Sequence, residues 1–169
     1  MASLRRSIIV SVLFSVFGGP AFALVYAPLW ITRFHIPDAE PWWQIMPAAA
    51  LIVIGLSPGI ESVKRFIVVG RGGILPLVPT EHLVVSGFYR YVRNPMYLGV
   101  VIALAGETLL FRRREMMEFA LILWLGFHLF VCFYEERTLT RRYGGEYLLF
   151  KCNVPRWLPR ISAWDGRPQ

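Results

Sequence analysis

The sequence predicts an all-α integral membrane protein with about four transmembrane helices plus a C-terminal amphipathic interfacial helix. The chain of 169 residues is 56% hydrophobic with a mean hydropathy of +0.50, too apolar for an ordinary soluble domain. Its apolar residues gather in runs of roughly 20, the length that crosses a bilayer core. The basic residues flank those runs instead of forming one stripe. The net charge of +7 therefore points to anionic lipid headgroups and away from nucleic acid. One membrane domain over residues 1–169 is expected, with no separate soluble unit.

The first span, about 8–30, follows Arg5 and Arg6. Ala21-Phe22-Ala23 looks like a signal-peptide cleavage site, but the apolar character continues to Trp30, so a retained helix is expected, kinked at Gly18-Gly19-Pro20. A loop with His35, Pro37, Asp38, Glu40 and Pro41 leads to Trp42 and Trp43, an interfacial belt. The second span, about 45–66, carries Gly55 and Gly59, which let another helix approach closely, and Pro58, which bends it. Residues 70–94 form a polar connection rich in Gly and Pro, and a structured loop of that length usually carries function. The third span covers 95–111, Arg112 to Glu115 make a tight turn, and the fourth span covers 116–134. From 135 to 160 the chain is amphipathic. Leu139, Tyr143, Tyr147 and Phe150 recur at helical spacing, with a break expected at Gly144-Gly145 and an interfacial clamp at Pro155 to Arg160. Placing both termini in the cytoplasm puts 14 of the 18 basic residues there, as the positive-inside rule prefers; the exceptions are Arg33 and Arg112 to Arg114. The expected location is a bilayer of the bacterial inner-membrane type.

The chemistry concentrates at two places. Asn94-Pro95 is a helix start: Asn caps the free N–H groups, and proline loses nothing at the first position. The positive end of that helix, with Arg93 beside it, suits an anion, while Tyr89, Tyr91 and Tyr97 add flat faces with polar tips. Glu135 and Glu136 end the fourth span, where the helix dipole disfavours acids and membrane burial costs roughly 2.5–3.5 kcal/mol at the bilayer centre. An antiparallel hairpin of the third and fourth helices brings both places to one side of the membrane. The resulting mouth suits a ligand with a carboxylate, an ammonium, sugar hydroxyls and a flat ring. Pairing of the acids with Arg93, Arg137 or Arg141 would also account for them.

The segment Glu81 to Gly99 contains Gly87-x-Tyr89-x-x-x-Arg93-Asn94-Pro95-x-Tyr97-x-Gly99. It resembles the isoprenylcysteine carboxyl methyltransferases and the related phospholipid methyltransferases. Glu135-Glu136, Leu139, Tyr143-Gly144, Tyr147 and Val154-Pro155 look like the same family's C-terminal pattern, so the resemblance covers about 64–160. It implies a membrane enzyme that takes S-adenosyl-L-methionine from the cytosol and methylates a lipid-borne or apolar acceptor. Carried over by position, His82, Leu83, Val84, Tyr89, Asn94, Pro95, Met96 and Tyr97 would line the cofactor. Glu135, Glu136 or both would hold its amino group or ribose, with Arg93, Glu135 and Glu136 as the catalytic set and no metal. The family's arginines before the acid pair are absent, since Phe130-Val131-Cys132-Phe133-Tyr134 stands there. Isoprenylcysteine-type O-methylation thus leaves open N-methylation of a phosphatidylethanolamine-type lipid, or S-methylation of a small thiol.

Duller roles are expected elsewhere. Glu107 should pair with one of Arg112 to Arg114, His128 should hydrogen-bond between helices, and Cys132 should be a small core residue. A haem or quinone subunit is the non-enzymatic alternative, weakened by the single intraspan histidine. A transporter lacks the repeated broken helices it would need.

Overall fold

The computed structural model describes residues 18–34, 41–68 and 82–166, and among them every regular element is helical. These are α1 (Gly19–Ile31), α2 (Trp42–Val68), α3 (Pro95–Phe111), α4 (Arg114–Tyr143) and α5 (Gly145–Asn153), with one short 3-10 turn, Gly87–Arg90, before α3. Residues 8–17 of the first span, 35–40 of the first loop with His35, and 70–81 of the long connection lie outside the described residues. Trp42–Ser62 within α2, and α4, are long and apolar enough to cross a membrane; α1 and α3 are shorter apolar helices.

The central helix is α3, and its small residues explain why. The Gly55 carbonyl of α2 occupies the place a Gly99 side chain would take, and a Gly106 side chain would meet the Ala48 carbonyl at 2.6 Å. Backbone-to-backbone contact of this kind needs small residues on both helices. Gly59, paired with Gly55 in the expectation, has open space beside it. On its other side α3 packs Val100 and Leu104 against Ala23 of α1 and Met116 of α4, inside a shell that includes Phe111, Phe119 and Phe127. Covered from both sides, α3 has no polar face to present.

Arg112, left-handed at φ +51, ends α3, and α4 starts at Arg114, two residues before the expected Met116. The fourth span does not stop at Tyr134 either. A π-turn, Val131–Glu135, carries the helix on to Tyr143, because no Gly or Pro intervenes before Gly144. Glu135 and Glu136 are therefore mid-helix residues, and the dipole argument against them does not apply. The break comes at Gly144, whose φ of +55 favours glycine.

The segment from 135 to 160 is thus three pieces: the end of α4, then α5, then an irregular strap. Tyr147, Phe150, Val154 and Trp164 form a second core with Leu83, Val85, Tyr89, Leu139 and Tyr143. The helical stripe expected on a membrane surface packs here against the loop before α3. The strap runs alongside that loop: the Arg93 N–H donates to the Pro155 carbonyl, Arg160 N–H to Tyr91, and Trp164 N–H to Arg90, each at 2.9 Å.

Candidate functional site

The loop before α3 is held at both ends. Phe88 N–H donates to Glu61 of α2, itself paired with Arg65, and Gly87 sits against both side chains with φ +59. From the other side Arg90 donates to the Trp164 carbonyl. The α3 start differs from the expected cap. Asn94 makes no side-chain bond to the helix N–H groups; its amide donates to the Arg156 carbonyl at 3.2 Å. Pro95 is buried at the first helical position, as its lack of an N–H allows.

The two acids face different partners because consecutive helical residues point about 100° apart. Glu136 is buried and receives three cations. Arg156 grips it through Nε at 2.6 Å and Nη2 at 3.1 Å, Lys151 reaches it at 2.9 Å, and Arg93 at 3.0 Å. The Arg93 and Glu136 side chains are only 9% and 6% exposed, so each charge depends on the other. Arg93 also donates to the Tyr147 hydroxyl, which burial pushes up to about 12 and keeps neutral.

Glu135 turns toward α3. It shares a hydrogen bond with the Tyr97 hydroxyl, while its Oε2 is buried with no hydrogen-bond partner among the described residues. The Tyr89 hydroxyl lies beside Ser62, within electrostatic range of Glu135 and Glu61, and burial raises it well above the ordinary tyrosine range. The Tyr97 ring lies 4.7 Å from that of Phe127, fixing α3 on α4. A buried carboxyl group with one oxygen unsatisfied, hydrogen-bonded to a tyrosine hydroxyl, has the chemistry to accept from a cationic donor.

Of the residues singled out from sequence, Tyr89, Tyr97 and Glu135 converge on one point, and Arg93, Asn94 and Glu136 on another beside it. Leu83 packs into the second core, Val84 is buried, Met96 is half-buried and His82 is exposed. Sequence reasoning did not single out Lys151 or Arg156 as partners of Glu136. Arg156 follows the Val154-Pro155 pair, which was the available signal.

His128 Nδ1 accepts from Trp157 Nε1 at 3.0 Å, so its partner comes from the strap. Cys132 is half-buried at the wall of a groove, with Sγ 3.6 Å from His128 Nε2, and is not a core residue. For Glu107, expected to pair with one of Arg112 to Arg114, Oε2 is buried with no hydrogen-bond partner among the described residues, and Arg114 of that turn pairs with Glu118 at 2.8 Å. Among the described residues no group of three or more His, Cys, Asp or Glu is placed to hold a metal.

Comparison with known proteins adds a family to this geometry. The chain is 25% identical over 130 residues to protein-S-isoprenylcysteine O-methyltransferase B of Arabidopsis thaliana, covering 73% of this chain and 63% of that protein. The A form from the same plant is 26% identical over the same lengths. Protein-S-isoprenylcysteine O-methyltransferase of Schizosaccharomyces pombe is 36% identical over 83 residues, 48% of this chain and 35% of that protein. This chain thus spans less than two thirds of the length of these relatives. No solved structure matches it. The family model for phospholipid methyltransferases matches residues 43–146, which contain both helices of the hairpin, the loop and the acid pair; the chain belongs to the phospholipid methyltransferase family.

Proposed function

We propose that the chain is a membrane-embedded methyltransferase that uses S-adenosyl-L-methionine and acts on a lipid-borne or apolar acceptor. The observation that carries this reading is the buried Glu135 carboxylate, one oxygen unsatisfied, between Tyr97 and Tyr89 at the start of α3. Four helices, α1 to α4, cross the bilayer in this reading. The loop, the acid pair and both termini lie on the cytoplasmic side, as the distribution of Lys and Arg favours. The exposed faces of α2 (Val53, Ile54, Ile60) and α4 (Leu121, Ile122, Leu125) are then lipid-facing.

The residues fit a cationic donor. Glu135 would hold its positive charge, Tyr97 would fix that carboxylate through their shared hydrogen bond, Tyr89 would offer its hydroxyl oxygen to the cation, and Val84, Pro95 and Met96 would bound it with apolar surface. When bound, the cofactor supplies an electrophilic methyl group on a sulfonium, which an acceptor takes by in-line displacement. What the chain contributes is alignment and exclusion of water. Glu136, already held by Arg93, Lys151 and Arg156, acts by fixing the loop and the strap on α4.

The acceptor is a carboxylate in the first reading, since it is already ionised and needs no base. The family match favours a second, a phospholipid amine, which must lose a proton before it can attack. Membranes with and without the protein, given radiolabelled S-adenosyl-L-methionine, separate them. Base-labile label means a methyl ester, label in lipid headgroups means an amine, and no protein-dependent label refutes the enzyme reading.

A further inference from the structure

A second arrangement lies along α4, apart from the Glu135 carboxyl. Leu121, Leu125, Leu129 and Phe133 are all exposed and follow one another at four-residue spacing, so each neighbours the next and together they form an apolar stripe that winds slowly round the helix. Arg137 and Arg141 continue the same series. The Arg137 guanidinium lies 6.0 Å over the Phe133 ring, joining the apolar stripe to the charged end. That end opens into a groove of about 370 Å3 lined by Cys132, Glu136, Arg137, Thr140, Arg141 and Lys151.

The groove is electrostatically unbalanced. Its one acid, Glu136, is already bonded to Arg93, Arg156 and Lys151, and the Thr140 hydroxyl donates to the Glu136 carbonyl. Among the described residues neither Arg137 nor Arg141 forms an ion pair, although like charges four apart on a helix repel. An anion would relieve both. An apolar stripe about three turns long leading into a two-arginine groove has the shape of a single amphiphile, with hydrocarbon along the helix and a phosphate at its head. We propose that this groove docks the headgroup phosphate of an anionic phospholipid, whose acyl chains lie along Leu121 to Phe133. The site rests on the membrane placement given above and not on methyl transfer.

The test uses full-length protein in detergent at low salt, with dioctanoyl phosphatidic acid, dioctanoyl phosphatidylcholine and inorganic phosphate as separate probes. Phosphatidic acid should bind at least tenfold more tightly than either of the others. The Arg137→Gln/Arg141→Gln variant should lose roughly 30-fold in that affinity, from the roughly fivefold that each cation contributes near an anionic lipid surface. Arg137→Lys/Arg141→Lys should retain most of it and shows that the site tolerates substitution. Equal binding of the two lipids, phosphate binding as tightly as phosphatidic acid, or an unchanged Gln variant would each overturn the proposal. Calorimetry with S-adenosyl-L-methionine on the same samples reads the donor site separately, so its failure refutes the enzyme and leaves the lipid result standing.

Discussion

Glu136→Gln separates the two adjacent acids by what each supports. The substitution keeps size and removes one charge from a cluster of three cations. Lys151 is 40% exposed and Arg156 28%, so water can take over much of their solvation, but Arg93 is 9% exposed and cannot turn outward. Breaking a buried pair on one side typically costs about 3–5 kcal/mol, because the remaining charge stays desolvated. For a chain of this size 1 kcal/mol shifts the melting temperature by roughly 2–4 °C, so a drop of about 6–20 °C is expected. Glu135→Gln should behave differently. Its Oε2 has no partner to lose, so the melting temperature should move by less than about 3 °C while calorimetric binding of S-adenosyl-L-methionine disappears. The assay is thermal unfolding in detergent followed by tryptophan fluorescence, paired with calorimetry below the transition. Equal losses of stability in the two variants, or an unshifted Glu136→Gln, would refute the assignment of structural and binding roles to neighbouring residues.

Tyr97→Phe removes the hydroxyl that meets Glu135 and should weaken donor binding roughly 3–10-fold, whereas Glu107→Ala, in the other half of α3, should leave it unchanged by the same calorimetry. Gly99→Leu places a side chain where the Gly55 carbonyl sits; separation of α2 from α3 should cost at least about 3 kcal/mol and lower the yield of folded protein in size-exclusion chromatography. Ending the chain after Val154 removes the acceptor of the Arg93 N–H and the Arg156 clamp, so hydrogen exchange at Arg93 should accelerate at least tenfold while Leu104 in α3 stays protected. Trp157→Phe deletes the donor to His128 and should cost about 1 kcal/mol, visible as a shift of a few degrees in the same melting assay.

What the amino-acid sequence determined was what local chemistry can encode. Runs of apolar residues gave α2 and α3 nearly to their ends, Pro95 marked the start of α3, and Gly144, at a positive φ, marked the break before α5. The hairpin logic alone brought residues 93–97 against 135–136, because two antiparallel helices joined by a short turn leave their outer ends no other place. Only the tertiary structure decided the rest. Nothing local announces the π-turn at Val131–Glu135 or the helix continuing through the acids to Tyr143, because a π-turn has no dedicated residue signature. Which acid stays short of partners and which is clamped depends on Lys151 and Arg156. These arrive from 15 and 20 residues further along the chain through a fold-back at Gly144 that periodicity cannot show. Charge says that a carboxylate needs a cation; only packing says which cation is close enough to reach it.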